Sequence, residues 1–144
     1  MKLFTIGFTK TSAEKFFTRL KAAGVKRLVD VRLHNVSQLA GFAKRDDLRY
    51  FLEVICGIEY VHRPELAPTG DMLEEYKKQR GSWDAYAQRF VRLMAIRHIE
   101  TKLTPAALND ACLLCSEDQP HHCHRRLVAE YLKERWGDVT ITHL

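Results

Sequence analysis

From Cys112 to Arg126 the chain reads Cys-Leu-Leu-Cys-Ser-Glu-Asp-Gln-Pro-His-His-Cys-His-Arg-Arg, which holds three of its four cysteines and three of its seven histidines. Thiols, imidazoles, a carboxylate and guanidiniums are costly to bury, and no hydrophobic core needs them together. An apolar run, 111–114, leads into the polar turn, and a helical pattern follows from about Cys123 to Trp136. Any chemistry this protein performs is expected at this strand–loop–helix joint.

Several chemistries are open there. Cys115 or Cys123 can serve as a nucleophile, because a helix N-terminus with nearby arginine and histidine lowers a thiol's pKa and raises its thiolate fraction. Alternatively, Cys112, Cys115, Cys123 and His124 have spacings that suit zinc or iron. Strand phase argues against the four-ligand version, since residues three apart on a strand face opposite ways. The reduced set of Cys115, Cys123 and His124 stays open. The third reading takes the thiols as small buried hydrophobes, the usual fate of free cysteine, and assigns Cys112 and Cys56 to the core. Glu117 is either a general acid or base or an ordinary partner of Arg125. His124 is expected on the buried side of the last helix, and His121 and His122 in an exposed loop. Arg125 and Arg126 oppose the positive end of the helix dipole, at a cost of up to about 1 kcal/mol. An anion held by free backbone N–H groups and Arg125 would relieve that conflict; so would pairing of Arg125 with a local carboxylate. Arg126 is expected in water.

The elements that must position these groups alternate. Strands are expected at 3–8, 27–32, 58–62, 111–116 and 139–143, and helices after Thr11 (capped with Glu14), at 46–55, 72–79, 83–102 and 123–136, with a short turn after Thr104-Pro105. Gly24 and Gly57 close two of these helices. Trp83, Tyr86, Phe90, Val91 and Met94 form a stripe read as core, with Arg89, Arg92 and Arg97 on the solvated side. This order predicts a single α/β domain spanning 1–144: a parallel-rich sheet of about five strands with helices on both faces, Rossmann-like and three-layered. In such sheets ligands lie beyond the carboxyl ends of the strands. Gly7 and Thr9 after the first strand, Asp30 and Arg32 at the end of the second, and Cys115 and Glu117 at the end of the fourth would then share one rim. Arg32 can fork onto a phosphate or carboxylate, or simply pair with Asp30.

Composition narrows the classes. Net charge is +5, from 23 Lys and Arg against 18 Asp and Glu, which permits nucleic acid as a partner without demanding it. No segment reaches the length of a membrane span, and the first residues enter a strand without a cleavable signal pattern, so the expected location is the cytoplasm. The phosphate-binding loop of nucleotide hydrolases, the dinucleotide fingerprint, the zinc-protease helix, the serine-hydrolase elbow and the Cys-x5-Arg loop of thiol phosphatases are all missing.

Thr5-Ile-Gly7, Asp30-Val-Arg32 followed by Ser37, Phe42 and Lys44, Gly57-Ile-Glu-Tyr60, and Cys115-x-Glu117-x2-Pro120-x2-Cys123-His124-Arg125 together resemble the DUF488 family over essentially the whole chain. The resemblance implies the α/β fold and a site made of Thr5, Gly7, Asp30, Arg32, Cys115, Glu117, Cys123, His124 and Arg125. It implies no reaction, because the family is a domain of unknown function. Asn35 stands where the family pattern has proline, and Leu66-Ala67-Pro68 replaces Leu-Gly-Gly. Both changes fall in loops expected over the rim, where they would alter substrate preference.

The combined expectation is a small cytoplasmic enzyme of unread reaction class, with no cofactor. Cys115, Glu117, Cys123 and His124 would be its catalytic groups. Thr5, Gly7, Asp30, Arg32 and Arg125 would bind an anionic, phosphate-bearing ligand, nucleotide or nucleic acid. The alternatives are a non-catalytic nucleic-acid-binding or regulatory module, and a zinc or iron protein built on Cys115, Cys123 and His124.

Overall fold

Alternating side chains give the central strands two buried faces. Leu3, Val29, Ala111 and Leu113 join one core cluster, and Phe4, Ile6, Leu28, Cys112 and Leu114 join the other. The computed structural model, which describes residues 1–36 and 40–144, pairs these strands into one parallel sheet in the order β3-β2-β4-β1-β5. The strands are β1 (Lys2–Ile6), β2 (Arg27–Asp30), β3 (Glu59–His62), β4 (Ala111–Leu114) and β5 (Thr140–His143).

Helices α1 (Ala13–Ala22) and α2 (Arg45–Phe51) cover one face through Phe16, Phe17, Leu20 and Leu48. On the other face lie α4 (Trp83–Arg97) and α7 (His124–Trp136), packed through Phe90, Met94, Val128 and Leu132. Each such side chain, fully buried, contributes about 1.5–3 kcal/mol. The two-sided arrangement follows from strand order. The connections β1→β2 and β2→β3 run one way along the sheet and β3→β4 and β4→β5 the other, and crossovers of one hand then place their helices on opposite faces. β2 and β4 are neighbours whose outgoing chains leave in opposite directions. A crevice opens at that switch, above their carboxyl ends.

Local departures from the expected elements have physical causes. α1 is capped by Ser12, whose side chain accepts from the Lys15 N–H, and not by Thr11. The expected helix 83–102 breaks at His98, which adopts a left-handed φ of 52°. A straight continuation would turn Arg97, His98 and Thr101 toward the sheet. The break instead lets α5 (Ile99–Lys102) bury Ile99. Val91 is exposed rather than part of the stripe. Arg97 is only half in solvent and donates Nη1 to the carbonyls of Glu65 (2.8 Å) and Ala67 (2.7 Å). The helix expected at 46–55 is α2 followed by a π-turn at Leu52–Cys56, ending on left-handed Gly57. Cys56 on that turn is half-buried, at the edge of the core and not inside it. The remaining helices are α3 (Gly70–Lys77) and the short α6 (Pro105–Leu108), entered through the expected Thr104 cap and Pro105.

Candidate functional site

β4 ends at Leu114, and the next residue, Cys115, keeps the phase of Leu113 and faces the α4–α7 layer. Cys112 lies on the opposite face, as strand alternation requires, and burial pushes its thiol pKa up. Cys123 is the N-cap residue of α7 and His124 its first helical residue. The turn therefore carries Cys123 and His124 back over Cys115. The Cys115 sulfur lies 3.4 Å from His124 Nδ1, and the donor atoms of Cys115, Cys123 and His124 all lie within 4.8 Å of one another. His124 Nε2 is 2.6 Å from the Val31 carbonyl, to which it donates, and this leaves the Nδ1 lone pair facing the sulfur.

The two cysteines are driven apart in acidity. Cys115 is held below the ordinary thiol pKa by a hydrogen bond from the Cys123 S–H, against the cost of burial; the Arg125 charge and the backbone N–H groups of Ser116 and Glu117 act in the same direction as Cys123. Cys123 is raised, by burial first and then by its bond to Cys115. Burial also lowers the His124 pKa. Of the two, Cys115 is the thiol that gives up its proton more readily, and Cys123 the one that keeps it.

Cys115 lies in a cleft of about 660 Å³ at the β2/β4 switch. Its lining includes Arg32, Leu33 and His34 beyond β2, the turn from Cys115 to Glu117, and residues 122–124. α3 and the start of α4 supply the outer wall, with Tyr76, Lys77, Trp83 and Tyr86. The Glu117 carboxylate accepts from Lys77 Nζ at 2.9 Å, and not from Arg125. His122 is exposed, as expected, but its ring stacks on Trp83 at 4.9 Å and it also lines the cleft.

Arg32 is 2% exposed. Its Nε and Nη2 each donate to an Asp30 carboxylate oxygen at 2.8 Å, and its guanidinium carbon stands 5.3 Å from the centre of the Phe8 ring. Nη1 has no hydrogen-bond partner among the described residues. Asp30 also accepts from the Tyr60 hydroxyl (2.6 Å), the Asn35 amide (3.4 Å) and the Arg32 backbone N–H (3.1 Å). A carboxylate so fully engaged orients Arg32 and has no role as a ligand for an anion. Burial and Asp30 keep the Tyr60 phenol protonated, as a donor should be.

Arg125, Thr5 and Gly7 are placed differently from the expected anion site. Arg125 is fully buried, with Nε on Thr5 Oγ1 at 3.3 Å, Nη1 on the Glu117 carbonyl and Nη2 on the Asp118 carbonyl at 3.4 Å. The carbonyls of the loop, and Thr5, take up its guanidinium N–H groups at the positive end of the helix dipole. Arg126, half-buried, likewise donates to the His121 carbonyl at 2.8 Å. Thr5 also shares a 2.6 Å hydrogen bond with His143. A Cβ on Gly7 would lie 1.6 Å from the Glu117 carbonyl oxygen, so only glycine lets the turn approach β1. These three residues fix the shape of the Cys115 turn. None of them lines the cleft.

Sequence reasoning missed Tyr60, Asn35 and Lys77 as partners of the site, and took Trp83 and Tyr86 for core alone. Tyr60 and Asn35 lay within the quoted motif regions, but nothing local showed that they converge on Asp30. Asn35, at the family's proline position, is buried in that cluster. The other departure lies away from the cleft: Leu66 and Ala67 are fully buried, and Arg97 holds that turn. Ser37 lies outside the described residues.

An all-parallel α/β sheet with a crevice at its switch point defines the class of protein. Residues 12–132 match the family described as Domain of unknown function DUF488, and the chain belongs to that family. No curated protein and no solved structure matches the chain. No described helix is long and apolar enough to cross a membrane.

Proposed function

We propose that the cleft is the active site of an enzyme whose reactive group is the Cys115 thiolate and whose substrate carries an anionic group. The setting of the Cys115 sulfur carries this reading: it lines a cleft edged by a buried arginine, the donor atoms of Cys123 and His124 lie within 4.8 Å of it, and Cys123, Arg125 and the Ser116 and Glu117 backbone lower its pKa. The thiolate is the competent nucleophile, and a lowered pKa raises the fraction of the thiol in that form. Glu117, on the same rim, is the acid–base group nearest in sequence to the sulfur. Arg32, with one guanidinium nitrogen uncommitted, is the group that receives the substrate's negative charge. Such chemistry needs reduced thiols and places the activity in a reducing compartment such as the cytoplasm.

The test is the pH dependence of iodoacetamide alkylation in the free protein, with the modified residue mapped by mass spectrometry. Cys115 is expected to react with a midpoint below the ordinary value of roughly 8.5, and C115S should remove that phase. A midpoint at or above the ordinary value would end the nucleophile reading.

One observation favours a second reading. A neutral His124 presents its Nδ1 lone pair to the Cys115 sulfur at 3.4 Å, two donor atoms that one cation between them would engage together. Cys115, Cys123 and His124 form a set suited to zinc or iron, with His124 oriented through Val31 as metal-bound histidines usually are. Elemental analysis separates the readings. About one metal per chain, with Cys115 alkylated only after chelation, supports the metal; metal-free protein with a reactive Cys115 supports the nucleophile.

A further inference from the structure

The cleft opposite Cys115 is walled by rings. Trp83 stacks against His122 with centroids 4.9 Å apart and planes at 23°, and Tyr76 lies 5.6 Å from Trp83 and 4.8 Å from Tyr86. A core stripe would bury these rings. Here only Tyr86 is buried, Trp83 and Tyr76 are partly open, and His122 is exposed. The His122 imidazole already stacks on the indole, and a planar heterocycle would extend that pair of rings. At the other side stands Arg32, nearly wholly buried, with Nη1 unpartnered among the described residues. Charge in the lining is mixed: Lys77 and Lys78 stand among Asp71, Glu74 and Glu117. A groove for a nucleic-acid strand needs a continuous basic track, and three carboxylates would repel successive phosphates. They suit a ligand with a single anionic group whose remaining surface offers hydroxyl or amino donors. The cleft volume of about 660 Å³ lies within the range of roughly 300–1,000 Å³ usual for small-molecule sites.

We infer that the cleft binds a mononucleotide, with its base against Trp83 and His122 and its phosphate toward Arg32 beside Cys115. This rests on the reading of the cleft as a substrate site and names the class of molecule it takes. Stacking on an aromatic ring contributes about tenfold or more in affinity, so the base is as necessary as the phosphate.

Calorimetry and tryptophan fluorescence with the four ribonucleoside monophosphates, their nucleosides, ribose 5-phosphate, inorganic phosphate and a ten-residue oligonucleotide test the inference. At least one monophosphate is expected to quench Trp83 and to bind tenfold or more tighter than both its nucleoside and ribose 5-phosphate. W83A should abolish the quench and weaken that nucleotide at least tenfold while leaving ribose 5-phosphate unchanged; W83F, which keeps a ring and the packing, should stay within about threefold of the parent. Ribose 5-phosphate or phosphate binding as tightly as every nucleotide would overturn it, as would no binding at all. Preference for the oligonucleotide with a steep salt dependence would overturn it in favour of a nucleic-acid surface. Cys115 alkylation is measured without ligand, so a failure here is separable from a failure of the thiolate reading.

Discussion

Replacing Gly7 by alanine probes the contact on which the Cys115 turn depends. The new Cβ would stand 1.6 Å from the Glu117 carbonyl oxygen and 2.5 Å from its carbon, and both are backbone atoms that no rotamer change can move aside. To reach even a 3.0 Å separation the carbonyl must retreat by about 1.4 Å. That displacement breaks its bond from Arg125 Nη1 and strains the bonds that Phe8 N–H (3.3 Å) and Thr9 N–H (3.1 Å) donate to the Ser116 carbonyl. Overpacking of this kind costs about 1–3 kcal/mol, and losing a hydrogen bond from a charged group about 1.5–3 kcal/mol. Since relaxation of the turn serves both, the expected loss is about 3 kcal/mol, a substantial part of a stability of roughly 5–15 kcal/mol. Urea unfolding followed by circular dichroism reads it directly, and the melting temperature should fall by roughly 6–12 °C. The moving turn also carries the Ser116 and Glu117 N–H groups away from Cys115, so the alkylation midpoint of Cys115 should rise in the same variant. G41A is the control, because no described residue lies within 4 Å of its added Cβ and its stability should change by less than about 1 kcal/mol. A G7A protein within 0.5 kcal/mol of the parent, with Cys115 reactivity unaltered, would refute the placement of the turn against β1.

Three further outcomes are expected. C123A removes the leading cause of Cys115 acidity, so the alkylation profile of Cys115 should move to higher pH, while C112A should leave it in place because Cys112 is on the other face of the sheet. D30N keeps the shape of the carboxylate but strands a buried guanidinium, and should cost about 3–5 kcal/mol in urea unfolding; a loss below 1 kcal/mol would show that Asp30 does not hold Arg32. The His124 pKa is lowered on folding, so below its unfolded value of roughly 6.5 the unfolded chain binds the proton more readily. Stability should therefore fall as pH drops from about 6.5 toward 5, and H124N should flatten that part of the profile; a parent stability independent of pH over this window would contradict a neutral buried His124.

The sequence by itself determined what local periodicity can encode. Apolar runs separated by amphipathic helices specified the parallel α/β class, and the two-residue alternation of a strand was enough to place Cys112 and Cys115 on opposite faces. The gathering of Cys115, Cys123 and His124 at one joint was equally legible, because a strand end and a helix start joined by so short a polar turn meet at the same end of the sheet. Tertiary structure decided what those groups do. The direction of Arg125 depends on the carbonyls of a turn that folds against β1, and the saturation of Asp30 depends on Tyr60 from the next strand and Asn35 from a loop. Whether Trp83 served core or cleft followed from where α3 and the 121–122 turn came to rest beside it. Even the crevice itself required β4 to insert between β1 and β2, pairing Ala111 with Leu3 on one side and with Arg27 on the other, segments far apart in the chain. Periodicity reports the face a side chain prefers, which is a short-range steric property. The partner it meets on that face is chosen by hydrogen-bonded strand order and close packing, and these are settled only when distant segments compete for the same buried positions.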